Sequence, residues 1–156
     1  MTQAQISGLA EKLQSYLDSQ GEKLGFDEDA RIATLFPQIQ ETRIALTSAL
    51  QDMSDLVEGA EQKMFWHPML VVQDLAAYKL LYHFMLWTQV PEHGTISYKE
   101  MAKHVKLEKK RLTAYVRYLI TLRIFREPEL GIVAHSTSSR LLLKEEGLQC
   151  WLAACV

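Results

Sequence analysis

Gly94 to Phe125 reads GTISYKEMAKHVKLEKKRLTAYVRYLITLRIF, and it holds two helical patterns joined by a short turn. Ser97 and Glu100 stand as S-Y-K-E, a capping box whose hydroxyl and carboxylate each satisfy an orphan backbone N–H at a helix start. Met101, Ala102 and Val105 give the first, short helix an inner face. The second spans about 107–122, where Leu112, Tyr115, Val116, Leu119 and Ile120 recur at i, i+3, i+4, i+7 and i+8. That spacing makes one apolar stripe on an amphipathic helix.

Towards the C-terminus, the runs IFREP and GIVAH are short and extended, with a turn at Pro128–Gly131 between them. Helix, helix and β-hairpin together predict a winged helix over about 90–141. An amphipathic segment, Leu141–Ala154, closes the chain.

Towards the N-terminus lies LAAYKLLYHFMLW, residues 75–87, with only Lys79 and His83 polar. A helix that is apolar all round is buried on several sides, and this one is too short for a bilayer, which needs about 20 apolar residues. Covering it fully would use much of the core of a 156-residue chain. Part of it is therefore expected to lie against a second subunit, with Leu80, Leu81, Phe84, Met85 and Trp87 as interface candidates. Farther back, a helix is expected over about 29–59, interrupted near Pro37, which has no N–H to donate. Its Ile39, Leu46, Leu50, Met53 and Val57 fall near the heptad period, a stripe that wants a partner helix. Gly21 and Gly25 mark a break, and residues 2–19 form a first amphipathic helix on Ile6, Leu9, Leu13, Tyr16 and Leu17. The expected division is thus an N-terminal helix, 1–28, and one domain, 29–156.

Composition fits this mainly α reading. Hydrophobic residues make up 48%, and a chain of this length buries roughly two-thirds of its unfolded surface. Cys150 and Cys155 match no zinc spacing and suggest the reduced thiols of a cytoplasmic protein. The N-terminus has neither the basic nor the apolar region of a signal peptide.

Lys106, Lys109, Lys110, Arg111, Arg117, Arg123 and Arg126 surround the second helix, which invites a DNA-binding reading. Its face opposite the apolar stripe is Lys110, Thr113, Ala114, Arg117 and Thr121, with only two charges. Non-specific affinity scales with the phosphates neutralised, no Asn or Gln stands ready to read adenine, and the net charge is −2. Nucleic acid is not the expected partner. None of the five histidines has metal-ligand spacing, and no G-x-S-x-G, G-x-G-x-x-G or P-loop occurs. Ser136, Thr137 and Ser138 after His135 read as a helix cap. A small catalyst acting between subunits would have to draw on His83, His135 and Tyr82.

From Val90 to Leu142 the sequence resembles the N-terminal domain of class I O-methyltransferases, the caffeate/flavonoid type in its fungal secondary-metabolism branch. Val90–Pro91, Ile96–Ser97–Tyr98, Arg117, Ile124–Phe125, Glu127, Val133–Ala134–His135, Ser139 and Leu141 carry the resemblance. It implies a winged-helix dimerisation module with long N-terminal helices, intertwined with its partner and closing part of the partner's substrate pocket. The partner would be a second copy or a full-length O-methyltransferase, and the ligand an aromatic or polyketide small molecule. Such an enzyme continues into a Rossmann-like domain that holds S-adenosylmethionine and the catalytic histidine. The chain stops at CWLAACV, about where the linker helix would lead there. The resemblance therefore carries no catalytic residue, no cofactor in these residues and no methyl transfer by this chain alone. Some members of the branch catalyse pericyclic or dehydration steps, which keeps a pocket at the dimer interface open.

Overall fold

The computed structural model describes residues 3–20 and 37–156. The expected break at Gly21 and Gly25 and the segment 29–36 lie outside them. The described residues form two compact units, 3–20 with 37–69 and 70–156.

In the first unit, α1 (Gln3–Gln20) and α2 (Pro37–Glu58) pack on each other. Leu13 and Leu17, two of the stripe residues read from sequence, are buried with Ile39. Among the described residues α2 begins at Pro37, a position where the missing N–H needs no intrahelical acceptor; whether the expected helix starts earlier lies outside them. Gly59 ends α2 in the left-handed region (φ 78°), its N–H donating to the Asp55 carbonyl at 3.0 Å. Beyond that turn the Lys63 ammonium pairs with the Asp55 carboxylate, which holds that carboxyl below its usual range.

The helix α3 (Ala60–His83) continues from the first unit into the second, and it is longer than the expected 75–87. It contains Pro68, which leaves the carbonyl four residues earlier without its helical donor. It also stops sooner. Met85 adopts the left-handed conformation (φ 45°), and Leu86–Gln89 form a separate short helix, α4.

The second unit contains the winged-helix-like part. β1 (Thr95–Ser97), α5 (Tyr98–His104), α6 (Lys109–Thr121), β2 (Phe125–Glu129), β3 (Ile132–His135), α7 (Thr137–Lys144) and α8 (Glu146–Cys155) follow in order. The capping box is present as read: the Ser97 hydroxyl accepts from the Glu100 N–H, and the Glu100 carboxylate accepts from the Ser97 N–H. The wing holds three strands in the order β1-β3-β2, all antiparallel, with Ile96 opposite Val133 and Phe125 opposite His135. A register shift between Arg126 and Glu129 accommodates Pro128, which cannot donate to a ladder. The closing segment is two helices, parted at the extended Glu145 and tied by the Gln149 side-chain N–H to the Leu142 carbonyl (2.8 Å).

Alternate turns of α5 and α6 turn Met101, Leu112, Val116 and Leu119 inward, where they meet Leu81, Trp87 and Phe125. Each of these seven is at most 2% exposed. The core of this unit is closed within one chain.

Candidate interaction site

Most residues that carry the resemblance hold the wing to its helices. Ser136 caps α7, accepting from the Ser138 and Ser139 N–H groups, and its hydroxyl reaches back to the Arg123 and Ile124 carbonyls. His135 is 1% exposed. Its Nε2 lies 3.0 Å from the Val90 carbonyl, which only accepts, so Nε2 carries the hydrogen; in the neutral ring Nδ1 then accepts from the Ser139 hydroxyl at 2.9 Å. Glu127 accepts from the Gly131 N–H at 2.7 Å and from Arg117 at 3.3 Å. Those donors, the backbone N–H foremost, hold the Glu127 carboxyl below the usual range, and Glu127 with the Tyr98 ring raises Arg117 further. The guanidinium also lies 5.8 Å from the Tyr98 ring centre.

The three catalytic candidates have different surroundings. Both ring nitrogens of His135 are engaged within the fold. His83 is exposed at the end of α3 with its ring edge-on to Phe84, and Tyr82 is half-buried beside Trp87. Among the described residues no cluster could hold a metal ion. The basic helix is likewise partly occupied: Arg117 is held by Glu127, Arg126 donates to the His135 carbonyl at 2.9 Å, and Arg111 sits 3.7 Å from Glu108.

The interface candidates divide. Leu81 and Trp87 are inside the core of the second unit, which takes one side of α3 and the whole of Trp87. Leu80 and Phe84 are half-buried and Met85 is exposed. The large apolar excess lies earlier on α3, in residues that, Leu75 apart, the sequence reading passed over. Met64, Phe65, Trp66, Met69, Leu70, Val71, Val72 and Leu75 are all 44–76% exposed. A monomer rarely shows so much apolar surface on one element.

Beside it, α3 and α6 enclose a groove of about 280 Å³, lined by Gln73, Ala76, Ala77, Leu80, Ala114, Tyr115 and Tyr118. Three alanines are among its lining residues. The Tyr118 hydroxyl, on its wall, donates to the Asp74 carboxylate at 2.8 Å and so ties α6 to α3; the bond to Asp74 raises the phenol's pKa. This groove and the exposed Leu70, Val71, Val72 and Leu75 of the same unit form the candidate site.

No family model matches the chain. It is 30% identical over 149 residues to O-methyltransferase sol2 of Alternaria solani, covering 94% of this chain and 34% of that protein. To the chlorophenol O-methyltransferase of Trichoderma longibrachiatum it is 30% identical over 150 residues, covering 94% and 32%. Among solved structures, one described as "A Pericyclic Reaction enzyme" superposes with a TM-score of 0.63 at 14% identity, over 97% of this chain and 34% of that one. OxaC in complex with SAH and oxaline gives 0.58 at 14%, over 90% and 32%. The fold is therefore the mainly α, winged-helix-like one. The chain is related in sequence to fungal secondary-metabolism O-methyltransferases, and it spans about a third of the length of the relatives it matches.

Proposed function

We propose that this chain is the subunit-assembly part of an O-methyltransferase-like protein of fungal natural-product biosynthesis, and a lid over a partner's pocket for an aromatic or polyketide-type small molecule. Methyl transfer is not its own work: the 156 residues hold no glycine-rich cofactor loop, and their histidines do not converge. The observation that carries the reading is the eight-residue apolar surface of α3, exposed while the core beside it is already closed.

The rival, a DNA-binding regulator, needs free cations on α6, and the ties of Arg111 and Arg117 weaken it. A charge on the α3 surface tests assembly directly. Leu70→Glu should leave helicity and melting within about 0.5 kcal/mol of the parent, as exposed substitutions do, while gel filtration shifts from dimer to monomer. An unchanged elution volume would refute assembly through this face. Duplex affinity falling steeply with salt would restore the regulator.

A further inference from the structure

Residues 99–111 set Lys99, Lys103, Lys106, Lys109, Lys110 and Arg111 against Glu100 and Glu108, a net charge of +4 inside a chain of net −2. All six cations are exposed, and they are contiguous. Lys99 and Lys103 stand one turn apart on the same face of α5. The Lys106 N–H reaches the Lys103 carbonyl (3.4 Å) in the connecting turn, and Lys109, Lys110 and Arg111 make the first turn of α6. The two acids are already committed. Glu100 accepts from the Ser97 hydroxyl at 2.8 Å and from its N–H, and Glu108 lies 3.7 Å from Arg111.

Elsewhere cations are matched: Lys63 with Asp55, Arg117 with Glu127, Lys144 with Glu92. Among the described residues no ion pair involves any of the five lysines. In the free chain their arrangement is unfavourable twice over. Like charges at i and i+4, as in Lys99 and Lys103, repel. Three cations at the positive end of the α6 macrodipole oppose the helix start, with no acid in that turn and no side-chain cap from Glu108. Anionic groups supplied from outside relieve both.

We infer that the α5–α6 turn is a docking surface for an acidic polypeptide segment of another protein, whose carboxylates pair with Lys99, Lys103, Lys106, Lys109 and Lys110. This surface is separate from α3, and its use does not depend on assembly there. Three features favour a polypeptide over nucleic acid. The unmatched cations are all lysines, whereas the guanidiniums suited to gripping phosphate, Arg111 and Arg117, face carboxylates of the chain itself. Glu100 and Glu108 lie inside the patch, where a continuous phosphate backbone would meet them and a segment with spaced carboxylates need not. The rest of the chain carries −6, which repels a long polyanion beyond the patch but not a short acidic segment. Exposed pairs contribute little singly, so the contact is weak, salt-sensitive and suited to transient docking.

The experiment titrates a synthetic oligoglutamate of about ten residues into the ¹⁵N-labelled full chain at low salt and follows the backbone amide shifts. Shifts centred on residues 99–111 are expected, with a dissociation constant on the order of 0.1–1 mM, weakening about tenfold as salt rises to roughly 0.2 M. Lys103→Glu with Lys109→Glu should weaken binding about tenfold, and Lys12→Glu, an exposed change on α1, should not. Lys109→Glu alone should raise the urea midpoint, because an acid then faces the positive helix end, while it weakens binding. That opposition of signs separates docking from a purely structural role. Absent shifts, shifts centred elsewhere, or an affinity unchanged in the double variant would overturn the docking surface. A duplex of about a dozen base pairs that binds more tightly than the peptide at equal salt would overturn it in favour of nucleic acid.

Discussion

The two ends of α3 have the same kind of composition and opposite environments. From Ala77 to Leu81 the helix lies on α6 and the wing, and Leu81 is wholly buried. From Met64 to Val72 it carries larger apolar side chains, and none of the eight large apolar residues from Met64 to Leu75 is less than 44% exposed. Hydrophobicity alone therefore does not say where a core is. A core forms where small side chains let another element approach, as Ala77 does, and where polar partners such as Asp74 and Tyr118 tie the approach. The exposed end has bulk without a partner in its own chain. On the proposed reading, that is how a surface for another subunit differs from a core, although both are written in the same residues.

The largest expected effect breaks the buried end. Leu81→Ala should cost about 2–5 kcal/mol in urea unfolding, as large-to-small changes in closed cores do; Val72→Ala at the exposed end should cost less than about 0.5 kcal/mol under dilute conditions. Equal losses would erase the distinction.

Next is His135→Leu, which leaves the Val90 carbonyl and the Ser139 hydroxyl without their buried partner. A loss of about 1–3 kcal/mol is expected, with dimerisation unchanged. Dimer loss in a folded variant would mean that the wing belongs to the interface.

Glu127 provides a pH signature confined to the buried half. Its folded-state pKa is depressed, so its stabilisation is present above the unfolded carboxylate value near 4.3 and fades as pH falls through the lower folded value. Glu127→Gln should flatten the stability–pH curve below about pH 4.5 and leave it nearly parallel to the parent's above pH 6. An unchanged acid limb would show that the clamp from Arg117 and Gly131 does not form in solution.

The smallest effect is Ser97→Ala, which removes a helix cap for about 1 kcal/mol and should leave assembly untouched. A changed elution volume would tie α5 to the interface.

Much of the second unit was legible in the sequence because its signals are local. The capping box at Ser97 and Glu100, the stripe on α6 and the cap at Ser136 each lie within a few residues. β1 was not legible: three residues long, it exists only through pairing with β3, almost forty positions away. The N-terminal half of α3 escaped notice because its apolar residues run round the helix without a period and because it contains Pro68. The break at Met85 had no glycine to announce a left-handed residue. The burial of Leu81 and Trp87 in the core was hidden for the same reason, since an all-round apolar run does not reveal which side the core will take. The groove could not be foreseen at all, because it joins α3 and α6 side chains some forty positions apart.

The most direct test of the central claim is the mass of the purified chain by light scattering along a dilution series. A particle of twice 17.9 kDa that persists to low concentration is the predicted result. A particle of 17.9 kDa at every concentration would contradict it, and the exposed end of α3 would then have no partner in a second copy of this chain.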